Sequence, residues 1–239
     1  MRQLSVFILG LLLFVSCGSR RKETIWKNGP GTRTELRYAR NIIIERANGY
    51  TVVRLINPWK QNAILHTYYL VDRDSRVDIP DDGTIVTVPL RRSVVFTTAH
   101  ASLLEMLHAQ KAIAGVADLK YMFIPDIQKR TRLKDGIADC GNAMQPDVER
   151  VIDLHADAIL LSPFENSGGY GRLEETGIPI IECADYMERS ALGRAEWMKF
   201  YGLLYGKKRE ADSLFSVVEQ NYMDLSKKAR KSEAPRSIL

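Results

Sequence analysis

The chain has 239 residues, 45% apolar and 26% charged, with 34 Lys and Arg against 29 Asp and Glu for a formal net charge of +5. This composition excludes a disordered chain and leaves room for one large or two modest domains with real cores. The basic residues are interspersed with Asp and Glu and form no aromatic and basic stripe, which gives no footing for nucleic acid as a partner.

Residues 1–16 read as an export signal. Met1-Arg2 makes a positive start, Val6 to Val15 is almost wholly apolar and too short to span a bilayer comfortably, and Ser16-Cys17-Gly18 follows. Phe14-Val15-Ser16-Cys17 is similar to a bacterial lipobox, with Phe14 where Leu is usual. That predicts cleavage before Cys17, a lipid on its sulfur, and a mature protein tethered to a membrane in the bacterial periplasm. Residues 17–34, rich in Gly, Ser, Lys, Arg and Thr, read as a flexible leader whose Arg20-Arg21-Lys22 lies near the membrane surface.

Residues 35–90 read as an antiparallel β meander: Asn41 to Arg46, a turn at Asn48-Gly49, Tyr50 to Ile56, and Ile64 to Val71 after Asn57-Pro58-Trp59. Asp81-Asp82-Gly83 marks a further turn before Thr84 to Pro89. Between 91 and 206 the rhythm becomes strand, loop, helix, strand, which predicts an α/β lobe with a parallel, Rossmann-like sheet. Its expected elements are strand Val94–Thr98, helix Ala101–Ala109, strand Ile113–Val116, a short strand at Ile137–Asp139, and a helix Pro146–Leu154 with Pro in its first turn. Strand Ala158–Leu161, a short helix around Leu173, strand Ile178–Glu182 and helix Arg194–Tyr205 follow. Within 207–234 a long helix, Lys208 to Ala229, carries Ala211, Leu214, Phe215, Val218, Tyr222 and Leu225 on one face. Residues 235–239 look like the start of a strand, which predicts a second lobe beyond this sequence. Cys140 and Cys183, each near a strand end, fit a disulfide or a pair of free buried thiols.

Known catalytic cradles are missing: the chain has no Gly-x-Ser-x-Gly, no Gly-x-x-x-x-Gly-Lys-Ser/Thr, and no Gly-x-Gly-x-x-Gly after the first parallel strand. Of His66, His100, His108 and His155, only His100 falls just past a strand's carboxyl end. It suits a ligand contact and a satisfied loop histidine equally. Glu165 and Glu182 would form a carboxylate pair only by chance of folding. What remains is a rim of loops beyond the strand ends, where open α/β sheets bind ligands. Thr98, His100, Lys120, Tyr121, Asn142, Met144, Phe164, Glu165, Asp185 and Tyr186 are its candidate ligand-binding residues. Aromatic plates with scattered polar groups suit a large, flat, partly apolar ligand held without covalent chemistry. No catalytic residue, metal site or resident cofactor is expected.

Several stretches carry a family likeness: Val94 to Ala109, Gly115-Val116-Ala117-Asp118, "GNAMQPDVERVIDLHADAIL" at 141–160, and "TGIPIIECADYMERSALGRAEWMKFYGLLYG" at 176–206, of which "LGRAEWMKF" is the most specific part. Together with the long helix they resemble the substrate-binding lipoproteins of ABC importers for ferric siderophores, haem and cobalamin. Two departures are Ala191 where the family usually has Pro, and Ala156 where it has Pro in Leu154-His155-Ala156-Asp157. The resemblance implies two α/β lobes joined by one rigid helix, here Lys208 to Ala229, with this chain holding the amino-terminal lobe and the ligand lying in the cleft. It implies a monomer that delivers cargo containing iron or cobalt to an ABC permease and ATPase complex in the inner membrane. By motif position Glu149 is the carboxylate that docks on the permease. Two other readings stand beside it: a divalent-metal-binding relative with His100 as one ligand, and a lipoprotein hydrolase with Glu165 or His100 as base.

Overall fold

A computed structural model describes residues 31–134, 136–165 and 169–231. The export signal, the lipobox with Cys17, most of the leader, residues 166–168 of the rim and the strand expected at 236–239 lie outside the described residues. Five strands form the first sheet, side by side in chain order: β1 (Thr32–Arg33), β2 (Ile42–Arg46), β3 (Tyr50–Ile56), β4 (Ile64–Asp72) and β5 (Thr84–Val88). Asn48-Gly49 closes the β2–β3 hairpin with Gly49 at φ +88°, a conformation that suits a residue without Cβ. The pairs β2–β3 and β3–β4 are antiparallel, as the alternation predicts. Strand β5 instead lies parallel to β4, with Thr84 opposite Tyr68. Residues 73–83 return along the length of β4 before β5 begins, a crossover rather than a hairpin.

The second sheet has the order β12-β11-β6-β7-β8, every neighbouring pair parallel. Its strands are β6 (Ser93–Val95), β7 (Ile113–Val116), β8 (Ala138–Asp139), β11 (Ala158–Leu161) and β12 (Ile180–Glu182), with a small hairpin of β9 (Gly141–Asn142) and β10 (Gln145–Pro146) after β8. Helices α1 (Thr98–Met106), α2 (Pro125–Arg130) and α3 (Val148–Asp153) fall among them, and α4 (Ala191–Glu196), α5 (Met198–Leu204) and α6 (Lys208–Arg230) close the chain. The order steps away from β6 in both directions, so a topological switch point lies between β6 and β11.

Several boundaries differ from the sequence expectation, each for a local reason. Helix α1 begins at Thr98 rather than Ala101 because the Thr97 side chain caps it, accepting from the His100 N–H at 3.3 Å. Helix α3 begins after Pro146, not with it: Pro146 pairs with Gly141 in the hairpin, and Asp147 is the cap, accepting from the Arg150 N–H at 3.0 Å. The expected helix 194–205 is two helices that meet at Trp197. Helix α2, with Pro125 at its start, was not anticipated.

One continuous core joins the two sheets. Val53, Leu55, Tyr68 and Leu70 of the first sheet pack in it with Leu160 and Ile181 of the second and with Trp197, Phe200, Tyr201 and Phe215 of the helices. The Tyr68 hydroxyl bonds across the junction, donating to the Ile180 carbonyl and accepting from the Glu182 N–H. Two buried glutamates fasten the chain leading into β2. Glu196 accepts from the N–H groups of Arg37, Tyr38 and Ala39 and from Lys199 Nζ, while Glu188 accepts from the N–H groups of Arg40 and Asn41 and from the Trp197 indole. These contacts give "LGRAEWMKF" its physical meaning. Helix α6 follows its predicted face only in part: Ala211 and Phe215 are buried, whereas Tyr222 and Leu225 are 45% and 65% exposed. Cys140 and Cys183 are free, fully buried thiols, which decides between the two sequence readings.

Candidate functional site

The parallel sheet gathers the loops after β6, β7, β8, β11 and β12 at one edge, and all ten candidate ligand-binding residues stand on them or on the first turn of α1. Their surroundings separate them into exposed side chains and buried supports.

Exposed apolar groups dominate the outer surface. Tyr121 is 58% exposed, Met144 72%, Phe164 46% and Tyr186 36%, and Phe123 beside them reaches 80%. Lys120 lies with Nζ 4.7 Å from the centre of the Tyr121 ring, a cation held over an aromatic face at the rim. Thr98 Oγ1 donates to the Tyr121 carbonyl at 3.3 Å, tying the start of α1 to the loop after β7. Asn142 braces the hairpin by donating to Asp118 and accepting from the Met144 N–H at 2.8 Å, which holds Met144 out. The Tyr186 hydroxyl donates to the Pro163 carbonyl at 2.5 Å and joins the loops after β11 and β12. Glu165 is exposed in the turn beyond Phe164.

At the switch point these loops leave a cavity of about 370 Å³, walled by Phe96, Met144, Phe164, Tyr170 and Leu173. Tyr170 lies outside the ten candidates. The sequence already places it on the rim loop 162–170, and its aromatic ring makes it part of the wall.

His100 is not a rim contact. It is 4% exposed, with Nε2 donating to Asp185 Oδ1 at 3.0 Å and Nδ1 2.5 Å from Thr97 Oγ1, and its ring packs against Tyr201. The early start of α1 turns it inward, and both ring nitrogens are engaged, which leaves neither for a metal or for proton transfer to a ligand. Burial works against its charged form, but the neighbouring Cys183 sulfur and the Asp185 carboxylate override burial and hold its pKa up at about 10. Asp185 also accepts from the Tyr201 hydroxyl at 3.0 Å, so this candidate supports the rim from below. Met122 is likewise interior, at 1% exposure. No group of three or more His, Cys, Asp or Glu side chains suited to a metal ion occurs among the described residues.

Glu149 occupies the first turn of α3 and is exposed, an anion favoured by the positive end of the helix. It lies just past the β9–β10 hairpin, close in sequence to the rim.

A family model described as periplasmic binding protein matches residues 94–239. The uncharacterized lipoprotein MJ0878 of Methanocaldococcus jannaschii is 26% identical over 221 residues, covering 82% of this chain and 52% of its own. Among solved structures, the molybdate periplasmic binding protein MolA of Haemophilus influenzae gives a TM-score of 0.51 at 15% identity, over 62% of this chain and 51% of that one. The triscatecholate siderophore binding protein FeuA of Bacillus subtilis gives 0.46 at 18% identity, over 65% and 52%. At 15% identity the likeness to MolA speaks to the fold alone. The chain spans about half the length of the curated relatives it matches.

Proposed function

Because the chain belongs to the periplasmic binding protein family, we propose that it contributes the amino-terminal half of a ligand cleft in an ABC importer, holding a large, partly apolar chelate without making or breaking a bond. The observation that carries this reading is the rim. Five apolar side chains, each more than a third exposed, crowd the carboxyl edge of a parallel sheet beside a cavity at its switch point. Exposed aromatic and Met side chains in one patch favour a flat apolar partner, and the Lys120–Tyr121 pair and the Asn142 turn supply polarity at its margin.

The ligand class that fits is an iron–siderophore, a haem or a cobalamin-type tetrapyrrole. A haem or corrinoid presents a flat macrocycle to aromatic side chains, and a ferric siderophore presents oxygen-rich, often anionic groups that a rim lysine can meet. Delivery follows by docking: Glu149, exposed on a helix start, suits a charge-steered contact with a basic permease surface. The lipobox ending in Cys17 would keep the protein near that permease, tethered in the periplasm. A divalent-metal role with His100 as ligand is disfavoured by the engagement of both its ring nitrogens.

The experiment is a titration of the full-length protein, lacking residues 1–17, with haem, cobalamin and a set of ferric siderophores, read by absorbance and by thermal shift. Saturable binding of one of them with the ligand recovered unchanged supports the reading. Silence across the set, or chemical conversion of the ligand, counts against it.

A further inference from the structure

Among the described residues, the cavity at the switch point has a single charged side chain in its wall, Arg172. Its other polar side chains are Gln145 and Tyr170, and the Tyr170 hydroxyl is already engaged, donating to Glu182 Oε1 at 2.6 Å. Arg172 stands on the short 3-10 helix Gly171–Thr176 that follows Tyr170. Its side chain makes no hydrogen bond or ion pair among the described residues. It is exposed, and the lip beside it is open: a Cβ added at Gly171 would meet no heavy atom within 4 Å beyond its chain neighbours. A ligand in the cavity therefore reaches the guanidinium without breaking a contact.

The nearby carboxylates, by contrast, are committed to the protein's own donors. Glu174 accepts from the Tyr170 N–H at 2.7 Å, Asp147 from the Arg150 N–H at 3.0 Å, and Asp118 from Asn142 Nδ2 at 3.2 Å and the Ala143 N–H at 3.3 Å. Glu165 and Glu175 are exposed and line no part of the cavity. Lys120, on the loop after β7, rests on the Tyr121 ring and has no carboxylate partner among the described residues. Positive charge without a partner, set beside an apolar wall, suits a ligand that brings both a negative charge and apolar area. At about 370 Å³ the cavity is near the small end for ligand sites, so it takes one arm of a large chelate rather than the whole.

On the reading of the rim as the ligand site, we propose that Arg172 is a specificity-determining residue, its guanidinium holding a carboxylate on an arm of the ligand. The arm's apolar part lies against Met144, Phe164 and Tyr170. A guanidinium meets a carboxylate with two parallel N–H donors, a match that a neutral amide does not offer. Arg172 thereby separates anionic cargo from neutral cargo.

The test uses the full chain with 3-phenylpropanoate as probe and 3-phenylpropanamide as the uncharged analogue of equal length, in ligand-observed NMR titrations. The expected result is saturable binding of the carboxylate, with the amide weaker by about tenfold, the loss of one charge-assisted pair. Arg172→Gln is expected to weaken the carboxylate by about the same factor and to leave the amide unchanged, a split that a merely structural role would not produce. Phe164→Ser combined with Met144→Ser is expected to weaken both probes, which places them in this cavity. Equal affinities for the two probes, no binding of the carboxylate, an Arg172→Gln chain that binds both as the wild type does or loses both alike, or a double variant without effect would each overturn the proposal. None of these results bears on the rim reading itself, which stands or falls on whether haem, cobalamin or a ferric siderophore binds.

Discussion

At the scale of single residues, buried carboxylates and one histidine organise more of this molecule than its surface charges do. Glu196 is fully buried, and four donors converge on it. Burial alone would raise its pKa, but three backbone N–H groups and Lys199 outweigh burial and hold it below the ordinary carboxylate value of 4.5. Its stabilising contribution is therefore present above pH 4.5 and is lost as pH falls through the depressed folded value. Glu196→Ala removes the shared acceptor of these buried and half-buried donors and is expected to cost about 3–5 kcal/mol, measured by urea unfolding at pH 7. For His100 the sign is opposite. Its folded pKa, about 10, lies above the ordinary 6.5, so its contribution is complete below pH 6.5 and drains away as pH rises toward 10. The unfolding midpoint should fall between pH 6.5 and 9.5, and the fall should be shallower in His100→Gln; a flat profile for the wild type would contradict this. Neither role was legible in the sequence. The backbone donors that Glu196 and Glu188 serve stand 147 to 159 residues away, and no local pattern reports a partner at that distance.

Among the elements, strand interiors were the most legible and helix starts the least. Ala158 to Leu161 reads as an unbroken apolar run because a parallel strand is covered on both faces, and all four residues are buried in the structure. The start of α1 was misplaced because Thr97 and Thr98 are good strand formers as well as good caps, and only the cap contact to the His100 N–H decides between them. Pro146 misled in the other direction, since proline suits a first helical turn but here sits in a two-residue hairpin strand. Between α5 and α6, Gly202 permits a close approach: a Cβ at this position would stand 2.6 Å from Ala211 Cβ and 3.0 Å from the Lys207 carbonyl oxygen. Gly202→Val is expected to destabilise the chain by about 1–3 kcal/mol or more through overpacking, read as a lowered denaturation midpoint with an unchanged slope.

For the molecule as a whole, the sequence places a set of loops on one rim, while the division of their side chains into exposed and buried does not follow from it. The loops were legible because the strand and helix rhythm of an α/β lobe places every strand's carboxyl end on the same edge. Sequence cannot say which side chains there are covered: Met122 and Phe123 are neighbours, and one is 1% exposed and the other 80%. On the proposed function, Phe164→Ser combined with Met144→Ser removes two walls of the switch-point cavity. It should weaken ligand binding by about tenfold or more with little effect on stability, because both side chains are already solvent-exposed.

The most direct measurement is hydrogen exchange by mass spectrometry on the full-length protein, with and without the ligand that the titration identifies. Ligand held at the rim predicts new protection confined to residues 117–123, 141–146, 162–165, 169–170 and 183–187, with β1 to β5 unchanged. Protection that spared those loops and appeared on the first sheet instead would contradict the placement of the ligand site.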